Sequence, residues 1–385
     1  MGQVNGPIRW GILGPGAIAG SFADDLRHVV GAQLVAVGSR DRERAVAFAA
    51  RRAIPYAHGS YESLVDDSNV DAIYIATPHS RHVEDALLCL EAGKHVVIEK
   101  PVALSADGAR RIETAACDAG LFAMEAMWTR FFPLFQKVRE LIVSGRIGSA
   151  VELRADFGHA PVFDPSGRLW DPSLGGGALL DIGVYPLAWA IGMLGWPTSF
   201  DADASLTSNR VDEAVGLRLH HVGGAVSLLV ASQRKRTACQ VVVEGSEGRI
   251  TVHGPMYAPR RVSVSSHRTG VVTTWTRPLA ELDQSGSPLL GATDRLPSAI
   301  GRVLGSSPAR QLRNRVADQL SRTTEPLVDL DSGVGYRYEA EAATRAISEG
   351  RLQCDEWPLA DTVKMMELLD TIRERIGVTH LEPGR

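Results

Sequence analysis

Cysteine is scarce: the 385 residues hold four, Cys89, Cys117, Cys239 and Cys354, far apart and with no CxxC pair. That spacing excludes a disulfide framework and a zinc site, and it fits thiols kept reduced in apolar surroundings. An excess of charge is missing too. Lys and Arg number 41 and Asp and Glu 45, a net charge of −4. Without a basic field, nucleic acid and anionic membrane are excluded as partners. No apolar run approaches the roughly 18 uninterrupted residues a membrane helix needs. The nearest, 184–196, is broken by Pro186 and by glycines. The opening MGQVNGPIRWG has no apolar signal core, so a cytoplasmic location is expected. What is present is ordinary globular composition, 44% hydrophobic and 22% charged, in a chain too long for one core, which predicts two domains.

Residues 8–145 alternate apolar strands with amphipathic helices. IRWGILG reads as a strand, followed by Ile18, Phe22, Leu26 and Val30 at four-residue intervals, a helical stripe. AQLVAVG, DAIYIAT, HVVIE and LFAMEAM read as further strands. DRERAVAFAARR, SRHVEDALLCLEA, SADGARRIETAACDA and PLFQKVRELIVS read as helices, with Asp41 and Ser105 placed to cap and Gly93, Gly120 and Gly145 placed to stop. This alternation predicts a parallel sheet covered on both faces. After a helix over about 178–194 the pattern changes. VGLRLHHV, AVSLLVASQ, CQVVVEGSEGRITVH and RRVSVSSHRTGVVTTWT alternate apolar and polar residues, with GSEG and RTG as hairpin turns. They predict an open, mainly antiparallel sheet. Two helices, about 335–349 and 358–376, close the chain.

Gly14, Gly16 and Ala19 stand in GxGxxA spacing between the first strand and the first helix. Gly14 permits a tight turn, Gly16 lets a pyrophosphate approach the backbone, and the helix start at Ala17 and Ile18 offers N–H groups to the anion. The second strand ends at Ser39 and Arg40, with Asp41 one step later. A hydroxyl and a guanidinium suit a 2′-phosphate that a carboxylate would repel, so NADP is expected over NAD. The alternative is a solvated Arg40, with Asp41 serving the ribose.

Ligands of an open parallel sheet lie off the carboxyl ends of its strands. Lys100 stands at one such end, and Thr77, Pro78 and His79 at another. Asp181 and Tyr185, four apart in GGGALLDIGVYPL, share a helix face. His79 and His82 have no third ligand nearby, so a structural or cofactor-contacting role is expected and no metal site. Trp128, Arg130, Phe131, Arg168 and Trp170 lie in aromatic-rich loops and are candidate substrate contacts.

The GxGxxA loop, EKP at 99–101 and GGGALLDIGVY at 175–185 together resemble the glucose–fructose oxidoreductase / inositol dehydrogenase family (Gfo/Idh/MocA), over about 8–280 and 335–380. SRD at 39–41, EAMWTRFFP at 125–133 and YRYEAEA at 336–342 are similar to its branch of dimeric dihydrodiol dehydrogenases and NADP-dependent D-xylose dehydrogenases. The resemblance implies an α/β fold: a Rossmann domain, residues 1–130, then an α+β substrate and dimerisation domain, residues 131–385. It implies Glu99, Lys100 and Pro101 beside the nicotinamide, Tyr185 as acid/base and Asp181 as its orienting partner. The activity implied is hydride transfer between NADP and a carbinol or carbonyl of a sugar, polyol or cyclic diol, in a homodimer or homotetramer. Alternatives are an NAD-linked inositol or sugar dehydrogenase and a catalytically silent NADP-binding regulator. A free tyrosine has a pKa near 10, and a nearby ammonium is expected to lower it, which would let a Lys100–Tyr185 pair relay a proton near neutral pH. One segment departs from the pattern. About 283–326 is an insertion, expected to form helices near 294–304 and 308–321 that pack by the cleft or the dimer interface.

Overall fold

The computed structural model describes residues 6–276, the backbone of 324–326, and 334–378. Six strands form the first sheet: β1 (Ile8–Leu13), β2 (Ala32–Gly38), β3 (Tyr56–His58), β4 (Ala72–Ile75), β5 (His95–Glu99) and β6 (Ala123–Ala126). All pairings are parallel, in the order β3-β2-β1-β4-β5-β6. The order reverses between β1 and β4, which opens a crevice at their carboxyl ends. Helices α1 (Ala17–Leu26), α2 (Arg42–Arg52), α3 (Tyr61–Val65), α4 (His82–Glu91), α5 (Ala106–Ala119) and α6 (Pro133–Val143) lie between and after the strands. With both faces covered, Ile12, Ile73, Tyr74, Val97 and Ile98 are fully buried. The expected caps form. Asp41 accepts from the Glu43 and Arg44 amides and Ser105 from the Gly108 amide, while Gly120 ends α5 in the left-handed region. The stripe on α1 is shorter than its spacing suggests. Phe22 and Leu26 are buried, but Val30 lies beyond the helix end and is exposed, and Ile18 is half exposed at the other end.

The second sheet holds β7 (Ala150–Gly158), β8 (Pro197–Leu206), β9 (Asp212–His221), β10 (Val226–Ser232), β11 (Val241–Gly245), β12 (Gly248–His253), β13 (Arg261–Ser266), β14 (Val272–Thr276) and β15 (Thr324–Pro326). Their order is β15-β14-β13-β12-β11-β7-β10-β9-β8. It is mainly antiparallel, with β7/β10 and β14/β15 parallel. Strand β8 reads PTSFDADASL and sits at the edge, where its acidic side chains discourage further pairing. A π-helical turn, Leu179–Gly183, leads into α7 (Val184–Leu194), which is almost wholly buried. By length and composition alone, Pro172–Leu194 would pass for a membrane span, although it holds no uninterrupted apolar run of that length. An 18-residue apolar window within it is 89% buried inside the protein, as in a core helix.

The closing helices, α8 (Arg337–Ser348) and α9 (Leu359–Arg375), follow the second domain in sequence but return to the first sheet in space. The Trp10 indole donates to Thr344 Oγ1 at 3.2 Å, and the Ala106 amide donates to Asp370 Oδ2 at 2.8 Å. Asp25 accepts the amides of Val334, Gly335 and Tyr336. Apart from β15, the 283–326 segment and its two expected helices lie outside the described residues. All four cysteines are free; Cys117 is exposed rather than set among apolar neighbours.

Candidate functional site

A cleft of about 960 Å³ opens where the strands of the first sheet end, and it reaches from the glycine loop to α7. At one end Gly14 adopts φ +94°, and a Cβ there would lie 3.1 Å from the Ala76 carbonyl oxygen. Only glycine fits that turn. A Cβ on Gly16 would meet nothing within 4 Å, so this backbone faces open cleft. No side chain caps α1, which leaves its first N–H groups to an anion. Ala17 and Ile18 line the same wall.

Ser39 and Arg40 line the far side, together with Arg44 and Tyr61. The Asp41 carboxylate also borders the cleft, but it is committed to the α2 cap. Arg40 and Arg44 bring two guanidiniums to the tip of β2, against one carboxylate already engaged. This set fits a phosphate on a ribose better than two free hydroxyls. Further in, Thr77 Oγ1 and His79 Nδ1 are buried without a hydrogen-bond partner among the described residues, and Thr77, Pro78 and His79 line the cleft. A glycine cradle, a free helix start and unpaired polar atoms along one trough suit a dinucleotide.

The other end is built around Asp181. Its Oδ1 lies 3.0 Å from Arg168 Nη1 and 3.7 Å from Lys100 Nζ. Lys100 Nζ also donates to the Asp181 main-chain carbonyl at 2.6 Å. The Lys100–Pro101 peptide bond is cis. Burial works against the Asp181 carboxylate, but Lys100 and Arg168 outweigh it and hold the group well below the usual carboxylate range. Tyr185 reaches the cleft from the first turn of α7, and its hydroxyl accepts from Trp128 Nε1 at 3.1 Å. Trp128 stacks on Tyr336, with centroids 4.4 Å apart. Glu99 accepts from the Tyr74 hydroxyl and from the Lys100 amide.

The electrostatics correct one expectation. Lys100 does not meet the Tyr185 hydroxyl; its ammonium lies over the ring, 5.1 Å from the centroid, and is engaged by Asp181. Burial, reinforced by Glu99, pushes the Tyr185 phenol well above 10 instead of lowering it. Tyr185 is therefore a neutral phenol.

The structure brings Gly14, Gly16, Ala17, Ile18, Ser39, Arg40, Thr77, Pro78, His79, Glu99, Lys100, Trp128, Arg168, Asp181 and Tyr185 to the one cleft. Five other candidates do not line it. His82 is buried between the Pro101 and Thr77 carbonyl oxygens, tying two strand ends together, and Pro101 lies behind that contact. Arg130 is buried over the Trp357 ring and donates to the Glu356 and Ala188 carbonyls. Phe131 is buried in the core, and the Trp170 indole is spent on the Val162 carbonyl. Arg44, Tyr61 and Tyr336 line the cleft unanticipated. Tyr336 stood inside the YRYEAEA motif; the other two carried no signal beyond their proximity to Arg40. Among the described residues no group of three or more His, Cys, Asp or Glu could hold a metal.

The family model described as "Oxidoreductase family, NAD-binding Rossmann fold" matches residues 8–126, and the GFO/IDH/MocA C-terminal domain matches 135–251. A trans-1,2-dihydrobenzene-1,2-diol dehydrogenase of Mus musculus is 36% identical over 382 residues, 98% of this chain and 99% of its own. A D-xylose 1-dehydrogenase (NADP(+)) of Hypocrea jecorina is 32% identical over 415 residues, 97% of this chain and 93% of its own. A 3-ketoreductase of Actinomadura kijaniata, solved with NADP and TDP-benzene, superposes with a TM-score of 0.73 over 96% of this chain and 97% of its own. At 24% identity it shows a shared fold.

Proposed function

Because the chain belongs to the GFO/IDH/MocA oxidoreductase family, we propose that it is an NADP-dependent dehydrogenase or ketoreductase acting on a carbinol or carbonyl of a sugar, polyol or cyclic diol. The observation that carries this reading is one continuous cleft with the glycine cradle and Arg40 at one end and Lys100, Asp181 and Tyr185 at the other. Relatives named for a diol and for D-xylose support the substrate class. Gly14, Gly16 and the start of α1 hold the pyrophosphate, and Ser39, Arg40 and Arg44 hold the 2′-phosphate. The cofactor, when bound, supplies or takes up the hydride.

Tyr185 handles the proton. In reduction the neutral phenol gives its proton to the carbonyl oxygen and is left as a phenolate, and in oxidation that phenolate takes the proton of the carbinol. Lys100 places positive charge beside that oxygen and is itself aimed by the Asp181 carbonyl. The ionised Asp181 accepts a substrate hydroxyl and turns the reacting carbon toward the cofactor. Trp128 holds the Tyr185 hydroxyl in place. Leu228 and Val230, partly exposed on the open face of the second sheet, support pairing with a second copy of the chain, which light scattering would test.

The decisive experiment follows NADPH absorbance while aldoses, polyols and cyclic diols, with their ketones, are screened. Turnover with NADPH exceeding that with NADH is expected. Binding of NADPH without turnover on any member would favour the silent regulator, and preference for NADH would favour the NAD-linked enzyme.

A further inference from the structure

Asp212 opens β9 and is 1% exposed. It touches neither the cleft nor any residue lining it through its side chain, yet its Oδ2 accepts the Leu179 amide at 2.6 Å. Its other oxygen lies close beside the chain just before, in space that only glycine leaves free. A Cβ on Gly177, whose φ is +131°, would lie 2.3 Å from Asp212 Oδ1. Leu179 begins the π-helical turn, Asp181 lies within it, and Tyr185 follows at the start of α7. Lys100 grips the same turn from the first sheet, through the Asp181 carbonyl. One charged group from each sheet therefore holds this short stretch, one on an amide and the other on a carbonyl. Amides at a helix start have no partner within the helix, so an ionised acceptor there is a strong hold.

We propose that Asp212 is a positioning residue, whose carboxylate clamps the Leu179–Gly183 turn and so sets where Asp181 and Tyr185 stand relative to Lys100. The proposal rests on the reading of those three residues given above.

Burial pushes the Asp212 carboxyl up to about 7, against the pull of the Leu179 amide, its own amide and the Arg373 guanidinium. The charged groups around it are few. Arg373 on α9 is paired with Asp370 through Nη2 while its Nε and Nη1 are buried without a hydrogen-bond partner among the described residues, and Asp181 on the held turn is paired with Arg168 and Lys100. Asp171, in the loop before Gly177, accepts from Ser173. Glu213, next along β9, is paired with Arg234, and Arg210 donates to the Gly377 carbonyl. The clamp is thus tightest when Asp212 is ionised and slackens as the pH falls through neutrality.

Two variants test it. Asp212→Asn keeps the shape and the acceptor but removes the charge, and Asp212→Ala removes both. At pH 8, hydrogen exchange at 178–185 should be about tenfold or more faster in Asp212→Ala than in the wild type, as expected for loss of a charge-assisted bond, with Asp212→Asn between them. With NADP+ and either D-xylose or trans-1,2-dihydrobenzene-1,2-diol as probe, kcat should fall in both variants while the KM for NADP+ stays unchanged. The wild-type kcat should decline below about pH 7, and Asp212→Asn should lack that limb. Wild-type exchange rates in Asp212→Ala would overturn the clamp, and an identical acid limb in wild type and Asp212→Asn would overturn its control by ionisation. Absence of turnover with every probe would count against the functional reading alone, because the exchange result judges the clamp without it.

Discussion

The two ends of the cleft are made of different material. The cofactor end is built mostly from the stretch between Gly14 and Arg44, joined by Tyr61 and by Thr77, Pro78 and His79. The far end is side chains, and they come from five separate places: Lys100, Trp128, Arg168, the Asp181–Tyr185 turn and Tyr336. One end depends on the shape of a turn. The other depends on buried charges whose balance decides which groups are ionised. Changes at the first should act on binding or on the fold, and changes at the second on chemistry.

The sharpest break should come at the far end. Tyr185→Phe should lower kcat by about 10²-fold or more, the usual worth of a placed proton donor, with NADPH affinity little changed. Stopped-flow hydride transfer beside a fluorescence titration would measure both. A normal kcat on the true substrate would remove Tyr185 from the chemistry. Next in size is Arg40→Ala. Loss of a charge-assisted contact of about 1.5–3 kcal/mol should weaken NADPH about tenfold to a hundredfold and leave NADH almost untouched. Equal loss for both cofactors would mean that Arg40 shapes the fold instead.

The glycines split the cofactor end itself. Gly14→Ala should cost about 1–2 kcal/mol of stability, because L side chains resist its left-handed φ. Gly16→Ala has open space and should melt like the wild type while binding NADPH less well. Paired melting curves and titrations would expose the reverse. The smallest effect concerns acid. The folded Asp181 carboxyl lies below its ordinary value near 3.9, so the stability its charge contributes is complete above about pH 4 and is lost as the pH falls through the lower folded value. The difference in Tm between wild type and Asp181→Asn should stay constant from pH 8 to 5 and shrink below pH 4. A difference that varied across neutral pH would contradict the ion pairs around Asp181.

The same contrast governs what could be read from the chain. Most of the cofactor end was legible because its pieces each have a local cause: a glycine turn, a capped helix, a strand tip; Arg44 and Tyr61, which have none, were not. Strand and helix positions in the first sheet were legible for the same reason. Strands β3, β7, β8 and β15 were missed: the three residues of β3 and of β15 show no period, β7 stands alone ahead of the 178–194 helix, and the exposed edge β8 alternates too little. The parallel β7/β10 pairing depends on register between distant strands, which no local pattern encodes. At the far end, Lys100, Asp181 and Tyr185 stood out by motif, but their electrostatics did not. The phenol is pushed up because burial and Glu99 outweigh the Trp128 hydrogen bond while the Lys100 ammonium turns to a carbonyl, and that balance exists only in three dimensions. Arg130 and Trp170 look in sequence like Arg168 and Trp128. What separates them is whether the polar atoms are already spent, on Glu356, Ala188 and Val162, or face the cleft.

The return of α8 and α9 to the first sheet has a consequence for biosynthesis. Trp10 is bonded to Thr344, 334 residues later, and Asp25 to amides 309–311 residues later. At about 5–20 residues per second, a ribosome needs roughly 15–70 s to make that intervening chain. For all that time the opening strand and helix have emerged without the surface that finishes them. The domain that comes first in the sequence is therefore completed last, and a fragment ending near residue 130 would leave Trp10 and Asp25 without their partners.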